Sequence, residues 1–394
     1  MHKLQRIFWI LAVIPFLIAG CDKPHHTEVP GPPGPGNTEN QGGNENQGGN
    51  ENQGGNENQG GNENQGGGNT HSGPWDENRG KVVRPVNGQD GWTVTTVMEG
   101  ITYYAFSSSK ESITGVAQKV FVVDLDLSNP KYEVKITRTV PSAYTSTVHA
   151  NYNSIATINA GYEAGSIYIR SGGLNYSQIP NTVIGDTGQD NWKSEGAFYI
   201  DSNGKPGMVF VGSPKRDGVV SGIKGGTYAE AVKKQRAYYD AMKRADYPFL
   251  LSSAPTMIDD FEPLGETFCD YQNITESQAN NLNSENLEHH QRVRHPRTAV
   301  ALTEDNHLIL FVVDGRRTSR KGMSCKELTD FLIRWFNPQY ALNLDGGGST
   351  AMCVEGLSNS QYGNSTTHVV NSPIDGSVNG QERARDTHIV ILYK

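Results

Sequence analysis

A long stretch near the N-terminus holds almost no aliphatic or aromatic side chains, and this limits where the chain can fold. Within residues 22–74 a six-residue unit, Gly-Gly-Asn-Glu-Asn-Gln, recurs from Gly42 to Gln65. Such a segment cannot bury enough apolar surface to offset an ordering entropy of about 1–2 kcal/mol per residue. We therefore predict a flexible tether over residues 21–74 and one large folded domain over residues 75–394.

The first residues have the pattern of a lipoprotein signal. Lys3 and Arg6 precede an apolar run, residues 7–18, that is shorter than a membrane span of roughly 20 residues. The run leads into Ala19-Gly20-Cys21, which resembles the lipobox of bacterial lipoproteins. We expect residues 1–20 to be removed and Cys21 to carry lipid, which would anchor the protein in the bacterial cell envelope, facing the periplasm or the cell surface. An uncleaved anchor would leave the domain in the same location.

Charge and cysteine content narrow the function classes. The formal net charge is −8, and no basic stripe is interleaved with aromatic residues, so nucleic acid is not an expected partner. Once Cys21 is lipidated, three cysteines remain without a close pair or a CxxC spacing: Cys269, Cys325 and Cys353. We expect neither a disulfide framework nor a zinc site.

Hydrophobic periodicity predicts an α+β fold with a mostly antiparallel β-sheet core and a few flanking helices. Residues 119–127 and 132–137 are interpreted as a hairpin, with Ser128-Asn129-Pro130 as its turn. Further strands are predicted at 154–159, 197–201, 298–302, 307–313, 340–344, 351–354 and 388–393, with tight turns at 201–204 and 304–306.

Two capping boxes predict helices. One, at Thr227-Tyr228-Ala229-Glu230, opens a helix to about Arg244. The other, at Ser324-Cys325-Lys326-Glu327, opens a helix that Asn337-Pro338 ends. The second helix carries an apolar stripe at helical spacing that we assign to core packing: Leu328, Phe331, Leu332 and Trp335.

The segment Asp345-Gly346-Gly347-Gly348-Ser349-Thr350 follows an apolar strand directly. Three glycines allow positive φ angles and bring several N–H groups close to an anion, so this is a candidate phosphate or oxyanion loop beside a carboxylate. Neither a Walker loop nor the dinucleotide-binding glycine spacing is present. A plain glycine turn between strands is the alternative.

A second carboxylate, Asp314, ends another apolar strand, so Asp314 and Asp345 are expected to meet at a common sheet edge. Two carboxylates in one cleft can supply an acid and a base, or a nucleophile. Arg297 and Arg316 lie nearby in the sequence, and a guanidinium binds phosphate oxygens through two parallel hydrogen bonds. Either arginine could instead form a structural salt bridge.

Ordered sequence blocks resemble the phosphodiester glycosidases, the family related to the lysosomal enzyme that uncovers mannose 6-phosphate. The blocks span roughly residues 100–394 and are Ile158-Asn159-Ala160-Gly161-Tyr162, Arg294-His295-Pro296-Arg297-Thr298-Ala299, Val312-Val313-Asp314-Gly315-Arg316, Ser319-Arg320-Lys321-Gly322-Met323 with Glu327-Leu328, Leu342-Asn343-Leu344-Asp345-Gly346-Gly347-Gly348-Ser349, and Val370-Asn371-Ser372-Pro373 with Glu382-Arg383. The chain departs from the family pattern at Glu163, where a second aromatic residue is usual, and at Thr350, where many members carry serine.

The resemblance implies hydrolysis of a sugar-1-phosphodiester between the anomeric carbon and the phosphate oxygen, giving free sugar and a phosphomonoester. It further implies that one of Asp314 and Asp345 activates water or attacks the anomeric carbon, with the two roles unassigned. The implied phosphate ligands are Arg297, Arg316, Gly346, Gly347, Gly348 and Ser349, and the implied sugar ligands are Asn159, Asn371, Glu382 and Arg383.

Other functions remain open at this stage. A non-catalytic lipoprotein that binds anionic or phosphorylated glycans would use the same cleft, and a phosphodiesterase would break the phosphorus–oxygen bond instead. No cofactor is indicated. The acidic residues could bind a divalent cation through oxygen ligands, but no spaced ligand set predicts a metal.

Overall fold

The computed structural model describes residues 77–178, 193–210, 247–264, 275–359 and 361–394. The predicted signal sequence, Cys21, the tether and the helix predicted from Thr227 lie outside the described residues. Among the described residues, no helix is long and apolar enough to cross a membrane.

The described residues form an α+β fold, as predicted, with mostly antiparallel sheets and few helices. The helices are α1 (Thr145–Tyr152), α2 (Glu276–Ala279), α3 (Leu287–Arg292) and α4 (Cys325–Phe336), with a 3₁₀ turn at Gly347–Ser349. The strands are β1 (Trp92–Met98), β2 (Ile101–Ser108), β3 (Gln118–Asp126), β4 (Tyr132–Ala143), β5 (Ala156–Asn159), β6 (Ile169–Ser171), β7 (Leu174–Ser177), β8 (Gly196–Ile200), β9 (Pro206–Phe210), β10 (Phe249–Ser253), β11 (Thr256–Asp259), β12 (Glu262–Pro263), β13 (Arg297–Leu302), β14 (His307–Val313), β15 (Tyr340–Asn343), β16 (Met352–Val354), β17 (Ile374–Asp375), β18 (Val378–Asn379) and β19 (Arg385–Tyr393).

The largest sheet has the strand order β1-β2-β3-β14-β13-β15-β11-β12 and is antiparallel throughout. Its central strand β14 is apolar along most of its length because both faces are covered. Leu308, Leu310 and Val312 face a core shared with the four-stranded sheet β16-β5-β19-β4. Ile309 and Phe311 face a second core that contains α4. A five-stranded sheet, β7-β6-β10-β8-β9, and the pair β17-β18 complete the strands.

Helix α4 forms as its sequence predicts. The Ser324 side chain accepts a hydrogen bond from the Glu327 N–H, and the Glu327 side chain accepts one from the Ser324 N–H. This reciprocal cap satisfies two N–H groups that a helix N-terminus leaves without partners. The buried face of the helix carries the predicted stripe, in which Phe331 and Trp335 pack against Trp92 of β1.

The predicted hairpin of residues 119–137 is wrong. β3 pairs with β2 and β14, whereas β4 pairs with β19 in the four-stranded sheet. Val123 of β3 and Ile136 of β4 lie in one core, so the two strands pack face to face instead of edge to edge. Both segments are strands as predicted, residues 119–127 from a β-branched run and residues 132–137 from alternation. These signals also fit a chain that crosses from one layer to the next. The two predicted tight turns are confirmed, since β8 pairs with β9 and β13 pairs with β14.

Candidate active site

The site forms at one edge of the large sheet. β14 and β15 both pair antiparallel with β13, so their C-terminal ends lie beside the N-terminal end of β13. Arg297 begins β13, Asp314 follows β14, and Asp345 follows β15 after Leu344. The common edge predicted from the sequence is therefore present.

The glycine loop after Asp345 is held against the start of β13. The Gly347 N–H donates to the Pro296 carbonyl at 2.8 Å, and Gly347 has φ +63°, the positive value that the sequence predicted for this loop. A Cβ on Gly348 would lie 2.6 Å from both the Arg383 Nη2 and the Asp375 Oδ1. In the described part of the chain, the N–H groups of Gly346 and Gly348 have no hydrogen-bond acceptor, so they can donate to a ligand.

A cavity of about 260 Å³ opens beside this loop. Its wall contains Asp345, Gly346, Gly347 and Gly348 together with three arginines: Arg297, Arg316 and Arg383. The remaining lining residues come from other segments and are Tyr162, Glu163, Lys193, Ser284, Glu285, His289, His290 and His295. The cavity thus places the Asp345 carboxylate beside arginines and backbone N–H groups that can bind an anion.

Asp345 is buried, and its carboxylate Oδ2 lies 3.0 Å from Nε of Arg385. Burial raises the pKa of Asp345, and the nearby negative charge of Glu163 adds to the rise. The Arg385 guanidinium and the Ser349 hydroxyl lower the pKa in part. The result is a carboxylate that is a stronger base than an exposed aspartate.

Glu163 is a second carboxylate at the cavity. Its Oε1 lies 3.5 Å from Nη2 of Arg385, and its Oε2 lies 3.4 Å from Nζ of Lys193. The Glu163 side chain is exposed, and the partial desolvation that opposes its ionisation is outweighed by the charges of Lys193 and Arg385, which lower its pKa. Asp345 and Glu163 therefore have pKa values displaced in opposite directions, a pattern typical of acid–base sites.

The three cavity arginines differ in what they already bind. Arg383 forms an ion pair with Asp375 at 2.6 Å. Arg297 is buried, and its Nε and Nη2 donate to main-chain carbonyls of Met323, His290 and Val293. The Arg316 guanidinium makes no hydrogen bond or ion pair within the described ranges, and partial desolvation by the cavity wall together with the charge of Arg383 lowers its pKa. The Arg316 side chain is exposed at the cavity, so its guanidinium is available to bind an anionic ligand.

The three cavity histidines carry little positive charge. Burial lowers the pKa of His289, His290 and His295, and the charge of Arg297 lowers each further. His290 Nε2 lies 2.9 Å from the hydroxyl of Tyr162, so the neutral His290 ring can form a hydrogen bond with that hydroxyl. The positive potential of the cavity therefore comes from arginine and lysine and does not depend on histidine protonation near neutral pH.

Residues 147–392 match the phosphodiester glycosidase family, which is more than half of the chain. The chain belongs to the phosphodiester glycosidase family. It is a hydrolase with glycosidase activity on phosphodiesters. The matched segment includes every residue that lines the cavity.

The chain is similar to the catalytic domain of a zebrafish N-acetylglucosamine-1-phosphodiester α-N-acetylglucosaminidase auto-inhibited by its pro-peptide, with 16% identity, a TM-score of 0.47, and coverage of 80% of this chain and 87% of that one. It is also similar to a Synechocystis protein, with 14% identity, a TM-score of 0.45, and coverage of 78% and 64% respectively. Among curated protein sequences, none matches.

Several predicted site residues of this phosphodiester glycosidase lie behind the cavity wall. Asp314 is buried, and its carboxylate accepts hydrogen bonds from Asn371 Nδ2 at 3.0 Å and from the Ser372 N–H at 3.0 and 3.1 Å. The structure does not bring Asp314 into the cavity with Asp345. Burial raises the pKa of Asp314, and these hydrogen bonds lower it in part.

Asn159 and Asn371 are fully buried and bind the protein's own backbone. Asn159 Nδ2 donates to the Asp345 carbonyl at 2.7 Å, and Asn371 Oδ1 accepts from the Met352 N–H at 2.9 Å. They hold the loops that carry the site. Ser349 is also buried, and Glu382 accepts from the Ser146 N–H at 3.0 Å, so neither lines the cavity.

Sequence reasoning missed Lys193, Glu285, His289 and His290 as cavity residues, and it noted Glu163 only as a departure from the family pattern. Lys193 and Glu285 form an ion pair at 2.9 Å, and the Lys193 ammonium lies 4.9 Å from the centre of the Tyr162 ring. A lone lysine or glutamate in a polar segment carries no signal of a site. The adjacent histidines 289 and 290 were the one visible sign.

Proposed function

We propose that this chain hydrolyses a sugar-1-phosphodiester between the anomeric carbon and the phosphate oxygen, with Asp345 as the catalytic carboxylate. The observation that carries the proposal is that Asp345 shares a cavity with Arg297, Arg316 and the glycine-loop N–H groups. A buried carboxylate with a raised pKa thus lies beside donors suited to a phosphate.

The chemistry follows from this arrangement. Water, or Asp345 followed by water, adds at the anomeric carbon while the bond to the phosphate oxygen breaks and the phosphomonoester leaves. Arg316 and the N–H groups of Gly346 and Gly348 stabilise the charge that develops on the phosphate, so the leaving group needs no strong general acid. Arg297 adds positive charge at the cavity wall, and its hydrogen bonds to backbone carbonyls fix its position.

Glu163 takes the role of the second carboxylate, and Asp314 supports the site from behind the cavity wall. Glu163 lines the cavity, and its lowered pKa keeps it ionised beside Lys193 and Arg385. Asp314 fixes the main chain at Ser372 through hydrogen bonds. Asn159 and Asn371 fix the loops of Asp345 and Met352, which leaves Arg383 as the member of the predicted sugar-binding set that reaches the cavity.

The test is release of reducing sugar by the full chain from a panel of sugar-1-phosphodiesters in oxygen-18 water. Cleavage at the anomeric carbon places the label on the sugar, whereas phosphodiesterase cleavage places it on the phosphate. Asp345→Asn should lower kcat by roughly 10²–10⁴-fold. Asp305→Asn is the matched control, because Asp305 pairs with Arg84 outside the cavity, at 3.3 Å. Label on the phosphate, or binding of phosphorylated glycans without turnover, would overturn the proposal.

We also propose that the enzyme is a lipoprotein of the bacterial cell envelope. The support is sequence-based: Lys3 and Arg6, the short apolar run 7–18, and Ala19-Gly20-Cys21. In cells fed radiolabelled palmitate, the wild-type chain should carry label in the membrane fraction, and Cys21→Ser should lose it. Cys269→Ser is the control. Equal labelling of the wild type and Cys21→Ser would show that Cys21 is not the lipid-bearing residue.

A further inference from the structure

A cluster of two histidines and one glutamate lies outside the cavity. His149 is in the last turn of α1, Glu355 follows β16, and His368 lies in the loop that pairs with β16. Each offers one ligand atom, and the three atoms lie within 4.8 Å of one another. None of these residues lines the active-site cavity.

The distances suit a small metal ion. Oε2 of Glu355 lies 3.6 Å from Nε2 of His149 and 3.5 Å from Nε2 of His368. Zinc with ligand bonds of roughly 2.0–2.1 Å in a tetrahedron has ligand–ligand separations of about 3.3 Å. The two carboxylate–imidazole distances are thus close to that geometry, while the two imidazoles would have to approach each other from a separation of up to 4.8 Å. Two imidazoles with one carboxylate are a zinc donor set.

The orientation of the His149 ring also supports a metal site. Its ring is almost wholly buried, and its Nδ1 lies 3.0 Å from the Ser154 hydroxyl and 3.2 Å from the Thr157 hydroxyl. Its Nε2 is buried without a hydrogen-bond partner and faces Glu355. Hydrogen bonds to the far nitrogen of a histidine are how proteins orient metal ligands. A buried nitrogen without such a partner would otherwise cost free energy.

We propose that His149, Glu355 and His368 bind one divalent transition-metal ion, zinc being the best fit, with water as the fourth ligand. Glu355 is half-exposed, which leaves an open position for that water. The ion joins α1 to the end of β16 and to the loop of His368. The sequence analysis found no ligand set because the three residues are far apart in the chain.

The test is a zinc titration of the full chain after treatment with a chelator, against a chromophoric competitor. The wild type should bind one equivalent of zinc. His149→Ala and His368→Ala should bind zinc with an affinity lower by roughly 100-fold or more. Cobalt bound in place of zinc should give the visible d–d bands of a tetrahedral site. Zinc should also raise the Tm of the wild type and not that of the variants.

Two further variants complete the test. Glu355→Gln, at a half-exposed position, should fold even if His149→Ala does not, and it should also weaken zinc binding. His307→Ala is the matched control, because His307 lies 2.6 Å from Asp124 and belongs to no such three-ligand group among the residues that the structure describes. Absence of a bound equivalent, or equal affinity in the wild type and all cluster variants, would overturn the proposal.

Discussion

Nε of Arg385 lies 3.0 Å from Oδ2 of Asp345. The same guanidinium extends its Nη2 to 3.5 Å from Oε1 of Glu163. One buried cation therefore faces two carboxylates and favours the ionised form of both. Burial raises the pKa of Asp345 most, and the opposing charges of Arg385, which lowers it, and Glu163, which raises it, adjust that pKa further.

Replacing Arg385 by glutamine should raise the pKa of Asp345, because the cation that favours its ionised form is removed. If ionised Asp345 is the base or nucleophile, activity is lost as pH falls through this pKa. The acid limb of kcat/KM should therefore move to higher pH in Arg385→Gln. The pH profile for a sugar-1-phosphodiester measures this shift. Arg138→Gln is the control, because Arg138 pairs with Asp386 outside the cavity; an unmoved acid limb in Arg385→Gln would contradict the assignment.

Replacing Glu163 by glutamine should move the same limb in the opposite direction. Removal of its negative charge lowers the pKa of Asp345, so the acid limb should shift to lower pH. If Glu163 is also the second catalytic carboxylate, kcat should fall by roughly 10²-fold or more. Glu133→Gln, at a carboxylate paired with Lys135 on β4, is the control. An acid limb that moves upward would show that Glu163 does not act on Asp345 through its charge.

The shared edge of the site could be predicted from the sequence, but which carboxylate faces the cavity could not. Apolar runs ending in Asp314 and Asp345 were visible, and the antiparallel pairing of β14 and β15 with β13 brings their ends to one edge. Asp314 turns away because Asn371 and Ser372, from a distant loop, surround its carboxylate with donors. That contact depends on tertiary packing and leaves no local pattern.

The same limit applies to the hairpin and to Glu163. The β-branched run of β3 and the alternation along β4 identified both strands correctly, yet neither pattern specifies the partner of a strand. Glu163 acquires its role from Lys193 and Arg385, which approach it from other parts of the chain. The capping box of α4, by contrast, depends on residues three apart and was predicted in full.

Asp314→Asn should lower the free energy of unfolding but leave kcat per folded molecule largely unchanged. The carboxylate accepts hydrogen bonds from Asn371 Nδ2 and from the Ser372 N–H. In the asparagine variant an NH₂ group replaces one carboxylate oxygen, so one of these donors would face another donor. The expected loss is about 1–3 kcal/mol in the free energy of unfolding, measured by urea denaturation, with kcat per folded molecule largely kept. Asp345→Asn is the contrasting variant, with kcat lost and folding kept. If Asp314→Asn folds as stably as the wild type and loses turnover, Asp314 acts in the reaction itself.

Arg316 provides the sharpest test of phosphate recognition, because its guanidinium has no hydrogen bond or ion pair with the part of the chain that the structure describes. Arg316→Ala should lower kcat/KM by roughly 10²–10³-fold through loss of charge stabilisation at the leaving phosphate. Arg316→Lys should recover only part of this, because an ammonium cannot donate two parallel hydrogen bonds.

The neighbouring Arg317 is the matched control for Arg316, because it does not line the cavity and its guanidinium already donates to Asn379 and to the Ser377 carbonyl. Arg317→Ala should leave kcat/KM near the wild-type value. Competitive inhibition by inorganic phosphate supplies a second readout, because Arg316→Ala should weaken it in proportion to the loss of phosphate binding while Arg317→Ala should not. Equal effects of Arg316→Ala and Arg317→Ala would mean that the anion is attracted by the overall positive charge of this region and not by a specific contact with Arg316. Selective loss at Arg316 would mean that the phosphate lies beside the glycine loop, next to the Arg316 guanidinium.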